Sequence, residues 1–478
     1  MTAIWVRVLM LGLTLVLAAC GGDGGTGSTA SSGSPAGSTA AGNQCSLINR
    51  QIWAKGVLDE WYLFPETLPA MLDPAPYTSV SDYIDALTAT ARSQRRDRYF
   101  TYLTSIAQEN AFYASGSSAG FGFRLSTDAT ARRAFVMESF EAAAALAAGL
   151  DRGDEILAIG ADAGSLRTVT DIIATEGTAG VTAALGPSIA GTARTLQVTG
   201  LSGTRTISMV KTAYSLTPVS SRYGEKVIAD GGRSVAYLNL RTFISTADDQ
   251  LRTAFSHFRA AGITDFIIDL RYNGGGLIST AELMGDLMGG NRFSSDVFDN
   301  VTYRPEKSAN NSTKNFSVQP QSVSPLRIAF IGTTATASAS ELVINGLVPF
   351  YGARLALVGT NTYGKPVGQV AIDKATCDDR LRVIAFSLRN GANSNAYYDG
   401  LKGAVGATCQ AADDLSKPLG DPRENSVRVA LDFLAGRSCT AIADTGQTSL
   451  SVGASPSKRE LLTPNRPDTS QREVPGSF

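Results

Sequence analysis

The spacing of apolar residues predicts two structurally different regions in the first half of the chain. In the first region, apolar residues recur at helical spacing, as in LINRQIWAKGVLDEWYLF, which predicts a helical domain over residues 44–115. In the second region, short apolar runs alternate with glycine-containing turns. This pattern is typical of strands and predicts a β-rich domain over residues 116–213.

The region that follows, residues 214–440, alternates strand and helix patterns. The run TDFIIDLR is continuously apolar, as expected of a strand buried on both faces, and ADDQLRTAFSHFRAAG has the period of a helix. This alternation predicts a mixed or largely parallel sheet with helices on its faces, and therefore a multidomain α/β protein. Active sites of such sheets lie in strand-to-helix turns, and YNGGG and TATASASE are two such turns.

The two ends of the chain differ from these regions. Residues 1–19 combine an early Arg with an apolar run too short for a membrane span, which predicts a secretory signal. The following residues 20–43 are rich in Gly, Ser and Thr and predict a flexible tether, whereas residues 441–478 are rich in Ser, Pro and charge and predict a disordered tail.

The junction between signal and tether reads LAAC and ends in Cys20. This pattern resembles a bacterial lipoprotein signal, which implies that the Cys20 thiol is lipidated. A plain cleavable signal with an incidental cysteine is the alternative. No acidic residue directly follows Cys20, and by the same resemblance this favours lipid anchoring to the outer membrane of a Gram-negative cell envelope, facing the periplasm.

The bulk composition changes this picture little. The net charge of −1 and the hydrophobic fraction of 43% are ordinary for a globular protein, and no basic excess points to nucleic acid. Disulfides persist in exported chains, and the four remaining cysteines allow three connectivities. We predict the pairs Cys377–Cys409 and Cys45–Cys439. A single histidine and the absence of CxxC spacing argue against zinc, and we expect no cofactor.

Ser338 is the first candidate for chemistry. It lies in TASASE, where a strand gives way to a helix, so its hydroxyl and the first helical N–H groups can face one cavity. From these residues alone, a helix-capping role is equally open. The only histidine, His257, lies in mid-helix and is a poor partner for a serine triad. A lysine of lowered pKa is the other base open to a serine; Lys365 in YGKPVGQ is a candidate, and an exposed loop lysine is the alternative.

Two stretches of the β-rich region resemble a PDZ domain. They are GFGF, formed by Gly120, Phe121, Gly122 and Phe123, and AGLDRGDEILAI at residues 148–159. The resemblance implies that the GFGF loop captures the carboxylate of a peptide whose backbone adds as a strand to the sheet edge. A PDZ-like domain that packs only internally is the alternative.

Three motifs resemble those of the C-terminal-processing, or tail-specific, serine peptidases. FIIDLRYNGGG, TASASELVINGL and YGKPVGQ occur in this order, and the resemblance covers residues 47–434. It implies a ClpP/crotonase-like peptidase core over residues 214–440. The implied site residues are the nucleophile Ser338, the general base Lys365, its orienting partner Gln369, and an oxyanion hole made by the amide of Ala339 with that of Gly275 or Gly276.

The resemblance therefore implies an exported serine endopeptidase of tail-specific type. Lys365 would take the proton of Ser338, an acyl-enzyme would form, and water would release it, without a metal or nucleotide. The expected partners are proteins and peptides with free C-termini, and the oligomeric state is open. Two alternatives remain: a catalytically inactive, peptide-binding scaffold lipoprotein, and a PDZ protease that depends on His257.

Overall fold

The computed structural model describes residues 44–443 and 459–478. All of these residues belong to one compact unit, Gln44–Phe478. The predicted signal, the predicted lipidation site at Cys20 and the predicted tether lie outside the described residues. Within the described part of the chain, no helix combines the length and the apolar character needed to cross a bilayer.

The N-terminal region packs against the later chain. Its elements are α1 (Leu47–Trp61), α2 (Val80–Leu87), α3 (Ala89–Ser93), β1 (Tyr102–Ser105) and α4 (Ile106–Ser115). Ser46, Ser79 and Ser105 cap α1, α2 and α4, because each hydroxyl accepts a hydrogen bond from a first-turn backbone N–H. The apolar faces of α1, α2 and α3 share one buried cluster with Val367 and Leu381, so this region is built into the α/β core.

The β-rich region is an antiparallel sheet with one long helix. Its strands are β2 (Ser117–Gly120), β3 (Phe123–Asp128), β4 (Arg133–Ser139), β5 (Glu155–Gly160), β6 (Arg167–Thr168), β7 (Ala193–Gly200), β8 (Gly203–Val210) and β9 (Thr212–Ser215). Strands β3, β4, β5, β7 and β8 pair in this order, and β2 pairs with β9. The helices are α5 (Ala144–Ala147) and α6 (Val169–Leu185), and α6 buries Ile172 and Leu185 against the sheet core.

The α/β region contains the predicted mixed sheet. Six strands pair in the order β10 (Glu225–Asp230), β11 (Arg233–Asn239), β12 (Asp265–Asp269), β15 (Arg327–Gly332), β16 (Leu355–Gly359) and β19 (Ala407–Gln410). Only the β10–β11 pair is antiparallel. The helices are α7 (Ala247–Ala260), α8 (Ile278–Met288), α9 (Ala339–Tyr351) and α10 (Asn425–Leu434). Phe266, Ile267 and Ile268 of β12 are fully buried, as the continuous apolar run predicts.

A second, antiparallel sheet joins the N-terminal and α/β regions. It contains β13 (Val297–Tyr303), β14 (Ser312–Asn315), β17 (Val367–Lys374) and β18 (Asp379–Asn390), together with β1. The long strand β18 pairs with β1, β13 and β17. Because β17 begins two residues after Lys365, this sheet fixes the position of the predicted base.

The predicted disulfide connectivity is wrong: the bonds are Cys45–Cys377 and Cys409–Cys439. Cys377 lies in the turn between β17 and β18, and an Arg50–Asp379 hydrogen bond of 2.6 Å holds α1 beside this turn, which brings Cys45 close. Cys409 lies on β19, and the Gln410 N–H donates to the Thr440 carbonyl, so Cys439 runs alongside the strand. The position of α1 beside the β17–β18 turn and of residues 439–440 beside β19 therefore brings the partners together.

The prediction of a disordered tail is wrong for residues 459–478, which we call the tail segment. Strand β20 (Arg459–Leu461) pairs antiparallel with residues 126–128 of β3, and helix α11 (Thr469–Glu473) follows. Leu462, Val474 and Phe478 are buried. The polar composition predicts disorder because the segment has no core of its own; it is ordered by the edge and surface of the other regions.

Candidate active site

Ser338 occupies the sharp turn between β15 and α9. Its φ of 55° and ψ of −116° are unusual for a residue with a side chain. Strained conformations of this kind cost about 1–3 kcal/mol and occur where the surrounding structure imposes them, often at functional sites. The turn directs Ser338 to the carboxyl end of the parallel sheet, at the start of a helix. This is the position that the sequence predicts.

Asn273, in the glycine turn after β12, ties that turn to the Ser338 turn. Its carbonyl accepts hydrogen bonds of 3.1 Å from the Ala337 N–H and from the Ser340 hydroxyl. Its side chain donates to the Leu240 carbonyl at 2.9 Å and accepts the Gly275 N–H at 2.9 Å. Ser340 is fully buried by this contact, so it is the structural hydroxyl of the pair and Ser338 is the reactive candidate.

Lys365 enters the same site from the loop between β16 and β17. Its Nζ donates to Oε1 of Gln369 at 3.0 Å, and Nε2 of Gln369 donates to the Phe100 carbonyl. Burial lowers the pKa of Lys365 to about 8; the charge of Glu473 raises this pKa and the charge of Arg472 lowers it. About a tenth of the lysine is therefore neutral at pH 7, far more than for a lysine of ordinary pKa, and a general base acts in this neutral form.

Glu341 connects these two candidates, and the sequence analysis assigns it no site role. Its Oε2 accepts the Ser338 N–H at 3.1 Å and the Lys365 N–H at 2.7 Å. Its Oε1 accepts the Gly364 N–H at 2.7 Å and the Thr362 hydroxyl at 2.6 Å. Burial raises the pKa of this carboxyl to about 7, although all four donors oppose the shift. The Ser-x-x-Glu spacing of a capping box is the sequence signal that could have identified it.

The glycine turn offers a different amide from those predicted. The Gly275 N–H is engaged by the Asn273 side chain, whereas the Gly274 N–H donates to the Glu473 carbonyl in the cleft at 3.0 Å. A side chain at position 274 would come within 2.0 Å of the Arg472 carbonyl oxygen. The glycine is therefore needed for this close approach, and Gly274 is a third candidate donor beside Gly275 and Gly276.

Two of the three predicted residues, Gly275 and Ala339, nevertheless lie beside Ser338. A Cβ built on Gly275 would be 2.8 Å from the Ser338 Cβ and 3.1 Å from the Ala339 nitrogen. Ala339 is the first residue of α9, where helical N–H groups lack intrahelical partners. The oxyanion-hole assignment to Ala339 with Gly275 or Gly276 remains a prediction.

His257 lies elsewhere, on the surface of α7. Its side chain is 64% exposed, and its Nδ1 is 2.9 Å from Oε1 of Glu225. The partner is a partly buried carboxylate on β10 rather than a serine. This position gives no support to a histidine-dependent triad and makes His257 a suitable control residue.

A cavity of about 810 Å³ opens at the candidate site. Lys365, Gly274 and Ala337 line it, and Phe100 contributes from the N-terminal region. The tail segment contributes another wall, including Glu473. The site therefore depends on residues from three parts of the chain, namely the α/β region, the N-terminal region and the tail segment, and its cleft already holds a stretch of polypeptide.

The GFGF loop at residues 120–123 holds polypeptide as well. The Gly122 N–H donates to the Phe478 backbone oxygen at 2.9 Å, and the Phe478 N–H donates to the Phe123 carbonyl at 3.0 Å. A side chain at Gly120 would come within 2.7 Å of the Phe478 backbone carbon, so only a glycine permits this approach. We call the surface formed by this loop and the edge of β3 the β3 groove.

Comparisons with known proteins are consistent with this geometry. Residues 234–391 match the family Peptidase family S41. The chain is 25% identical over 252 residues to the carboxyl-terminal-processing protease of Picosynechococcus sp., covering 52% of this chain and 55% of the relative. It is 24% identical over 311 residues to the protein of the same name from Synechocystis sp., covering 64% and 65%. The chain thus spans about half to two thirds of the length of these relatives.

A solved structure shares the fold. The crystal structure of a protein assigned to the S41 proteases of Bacteroides fragilis aligns with a TM-score of 0.61 at 22% sequence identity. The alignment covers 80% of this chain and 97% of that protein. The resemblance to C-terminal-processing peptidases drawn from the three motifs is confirmed by the family match and by these relatives.

Proposed function

Residues 234–391 form a domain of peptidase family S41, and from this premise we propose that the chain is an exported serine endopeptidase of tail-specific type. The observation that carries the proposal is the Glu341 carboxylate, which holds the backbones of Ser338 and Lys365 at once. A helix cap alone requires neither this link to a lysine nor the lowered pKa of that lysine.

The proposed reaction is acyl transfer to Ser338. Neutral Lys365 takes the proton from the Ser338 hydroxyl, whose oxygen attacks a peptide carbonyl carbon. Backbone N–H groups of the glycine turn and of Ala339 stabilise the oxyanion, and each such donor is typically worth about 10²–10³ in rate. The lysine then protonates the leaving amine, and water, deprotonated by Lys365, hydrolyses the acyl-enzyme.

Gln369 is proposed to orient the base in this reaction. Its amide oxygen accepts from Lys365 Nζ, while its amide nitrogen is fixed by the Phe100 carbonyl. The amide is neutral, so it can align the lysine without an added negative charge that would favour the protonated form. A carboxylate at this position would raise the pKa of Lys365 and weaken it as a base at pH 7.

The β3 groove is proposed to bind the C-terminal residues of substrates in the manner of a PDZ domain. Backbone hydrogen bonds at a strand edge give affinity to an added strand, and the N–H groups of residues 120–123 can receive a carboxylate. The groove's capacity for an extended peptide is supported by the antiparallel pairing of Arg124 with Ser477.

Export and lipid anchoring through Cys20 are also proposed. The two disulfides support export, because disulfides persist mainly in oxidising compartments outside the cytosol. The expected result for protein isolated from bacterial membranes is a mass increase on a fragment that begins at Cys20. An unmodified Cys20 in membrane-derived protein would contradict the anchor and leave the peptidase proposal intact.

The test of the peptidase proposal compares hydrolysis of an unfolded protein by the parent chain and by single variants. Ser338→Ala and Lys365→Ala are expected to lower the turnover number by about 10⁴-fold or more. Lys374→Ala, in the same strand that follows Lys365, and His257→Ala are the controls expected to keep full activity. Full activity in Lys365→Ala would refute the base. Peptide binding without hydrolysis in the parent would favour the inactive scaffold.

A further inference from the structure

The tail segment follows β3 in two stretches with an excursion between them. Its first stretch, β20, pairs with residues 126–128, and its last stretch, residues 476–478, pairs with residues 123–125. Residues 463–475 leave the strand edge and include helix α11. One short segment thus occupies both the β3 groove and the catalytic cleft.

In the β3 groove, the last residues of the segment bind as an added strand. The Leu125 N–H donates to the Gly476 carbonyl at 2.9 Å, which continues the two hydrogen bonds between Phe478 and the GFGF loop. The Phe478 side chain is 4% exposed and belongs to the buried apolar cluster that contains Phe121 and Ile172. The groove therefore has an apolar pocket filled by a large side chain at the last bound position.

In the catalytic cleft, the excursion covers the glycine turn. The Glu473 carbonyl accepts the Gly274 N–H, and its side chain accepts the Tyr113 hydroxyl at 2.9 Å. The Arg472 guanidinium lies 3.7 Å from the centre of the Tyr102 ring and donates to the Tyr99 carbonyl at 3.0 Å. The Glu473 side chain is buried, and its backbone occupies the position beside the Gly274 N–H, so the excursion obstructs the cleft sterically.

We infer that the tail segment is an internal competitor that keeps the peptidase closed, because it occupies the β3 groove through Phe478 and the cleft through Glu473. This inference rests on the proposed function of the site. A substrate end that enters the groove must displace Phe478. Because only residues 474–477 separate Phe478 from Glu473, displacement of one loosens the other, so binding of a matching substrate end clears the cleft.

The first experiment weakens the competitor by a single change in the full chain. Phe478→Ala removes the side chain that fills the apolar pocket, and Phe293→Ala is the matched control, because Phe293 is 74% exposed. We expect hydrolysis of an unfolded substrate, measured as kcat/KM, to rise about tenfold or more in Phe478→Ala, since the tethered segment competes at an effective concentration on the order of millimolar. Phe478→Leu is expected to keep the low parental rate. Thermal unfolding checks that all variants are folded.

The second experiment measures binding, and it separates this inference from the peptidase proposal. A fluorescent peptide with the sequence of residues 470–478 and a free carboxylate is titrated into Ser338→Ala and into Ser338→Ala with Phe478→Ala. We expect at least about tenfold tighter binding to the double variant, and weaker binding of the same peptide ending in Asp. Tighter peptide binding to the double variant, without hydrolysis by any form of the chain, would support the role of the tail segment as a competitor and contradict the peptidase proposal.

Two outcomes overturn the inference while the peptidase survives. The first is equal hydrolysis by the parent, Phe478→Ala and Phe293→Ala, with equal peptide binding. The second is cleavage within residues 463–475 in the parent but not in Ser338→Ala, detected by mass spectrometry of the intact chain. In that case the segment is a substrate of its own site and not a stable competitor.

Discussion

Replacement of Glu341 by Gln is expected to lower the activity of this protein strongly while changing its stability little. The substitution keeps the size of the side chain and exchanges two acceptor oxygens for one acceptor and one NH₂ donor. The native oxygens accept four hydrogen bonds, two of them from the backbones of Ser338 and Lys365. The new NH₂ group must face a backbone N–H, either that of Gly364 or that of Lys365, because each native oxygen accepts from at least one of them.

Two opposing free energies determine the stability of this variant. Loss of hydrogen bonds to a charged group costs about 1.5–3 kcal/mol each, and an unpaired buried N–H adds to this. In the opposite direction, burial raises the pKa of Glu341 from 4.5 to about 7, so ionising this carboxyl costs about 3 kcal/mol more in the folded protein than in the unfolded chain. A neutral amide avoids this cost. The two effects nearly cancel above pH 7, and we expect the free energy of unfolding to change by about 2 kcal/mol or less.

The activity has no such compensation. If the amide turns the Ser338 or Lys365 backbone by about 1 Å, the rate falls about 10²-fold, because proton transfer and attack both depend on the alignment of the two side chains. We expect a loss of about 10²-fold in kcat with little change in KM. Glu282→Gln is the matched control, since burial also raises the pKa of Glu282 and the residue lies outside the site.

The assay combines urea unfolding at pH 5 and pH 8 with steady-state hydrolysis. A carboxyl whose folded pKa is above its unfolded pKa binds its proton more tightly in the folded state. It therefore stabilises the parent below pH 4.5, and this contribution is lost as the pH rises through 7. Relative to the Gln variant, the parent should be more stable at pH 5 than at pH 8. Parental activity in Glu341→Gln, or a loss of activity fully explained by unfolding, would refute the linking role.

Three other predictions concern the base and a disulfide. The kcat/KM of the parent should rise with pH through about 8, because Lys365, as the proposed base, would act in its neutral form. A flat profile from pH 6 to 9 would contradict the assignment. Lys365→Met should raise the free energy of unfolding at pH 7 by about 1–3 kcal/mol, because a lysine whose pKa is lowered in the folded state destabilises the fold below that pKa. Thermal unfolding tests this prediction, and the gain in stability should shrink above pH 10. Cys409→Ser with Cys439→Ser should cost about 3–4 kcal/mol, measured by urea unfolding, because the bond closes a loop of 30 residues; an equal unfolding midpoint would refute it.

The sequence predicts those parts of the site that depend on residues close together along the chain. The turn at Ser338 follows from a strand that ends before a helix, and the motif resemblance assigns Lys365 and Gln369, which the structure joins by a hydrogen bond. The role of Glu341 was accessible in part, because its capping-box spacing is visible, but its contacts with residues 362–365 depend on the packing of β16 and β17. No local pattern reports that packing.

The errors concern contacts between distant residues. Cys45 and Cys377 are 332 positions apart and meet because α1 packs beside the β17–β18 turn, whereas the sequence analysis paired Cys377 with Cys409. The prediction of a disordered tail was wrong for a related reason. Its composition lacks the apolar residues for an independent core, but an unpaired strand edge supplies backbone hydrogen bonds that composition does not encode. Only a few side chains, Phe478 among them, are needed to complete the fit.

The hydrogen bond between Gln369 and the Phe100 carbonyl joins residues 269 positions apart. A chain that is being synthesised or threaded across a membrane presents Phe100 long before Gln369, and it presents the tail segment after both. The proposed base is therefore aligned only when the early and late parts of the chain have folded together. A chain that ends before Gln369 therefore lacks an aligned base, however well its N-terminal region folds.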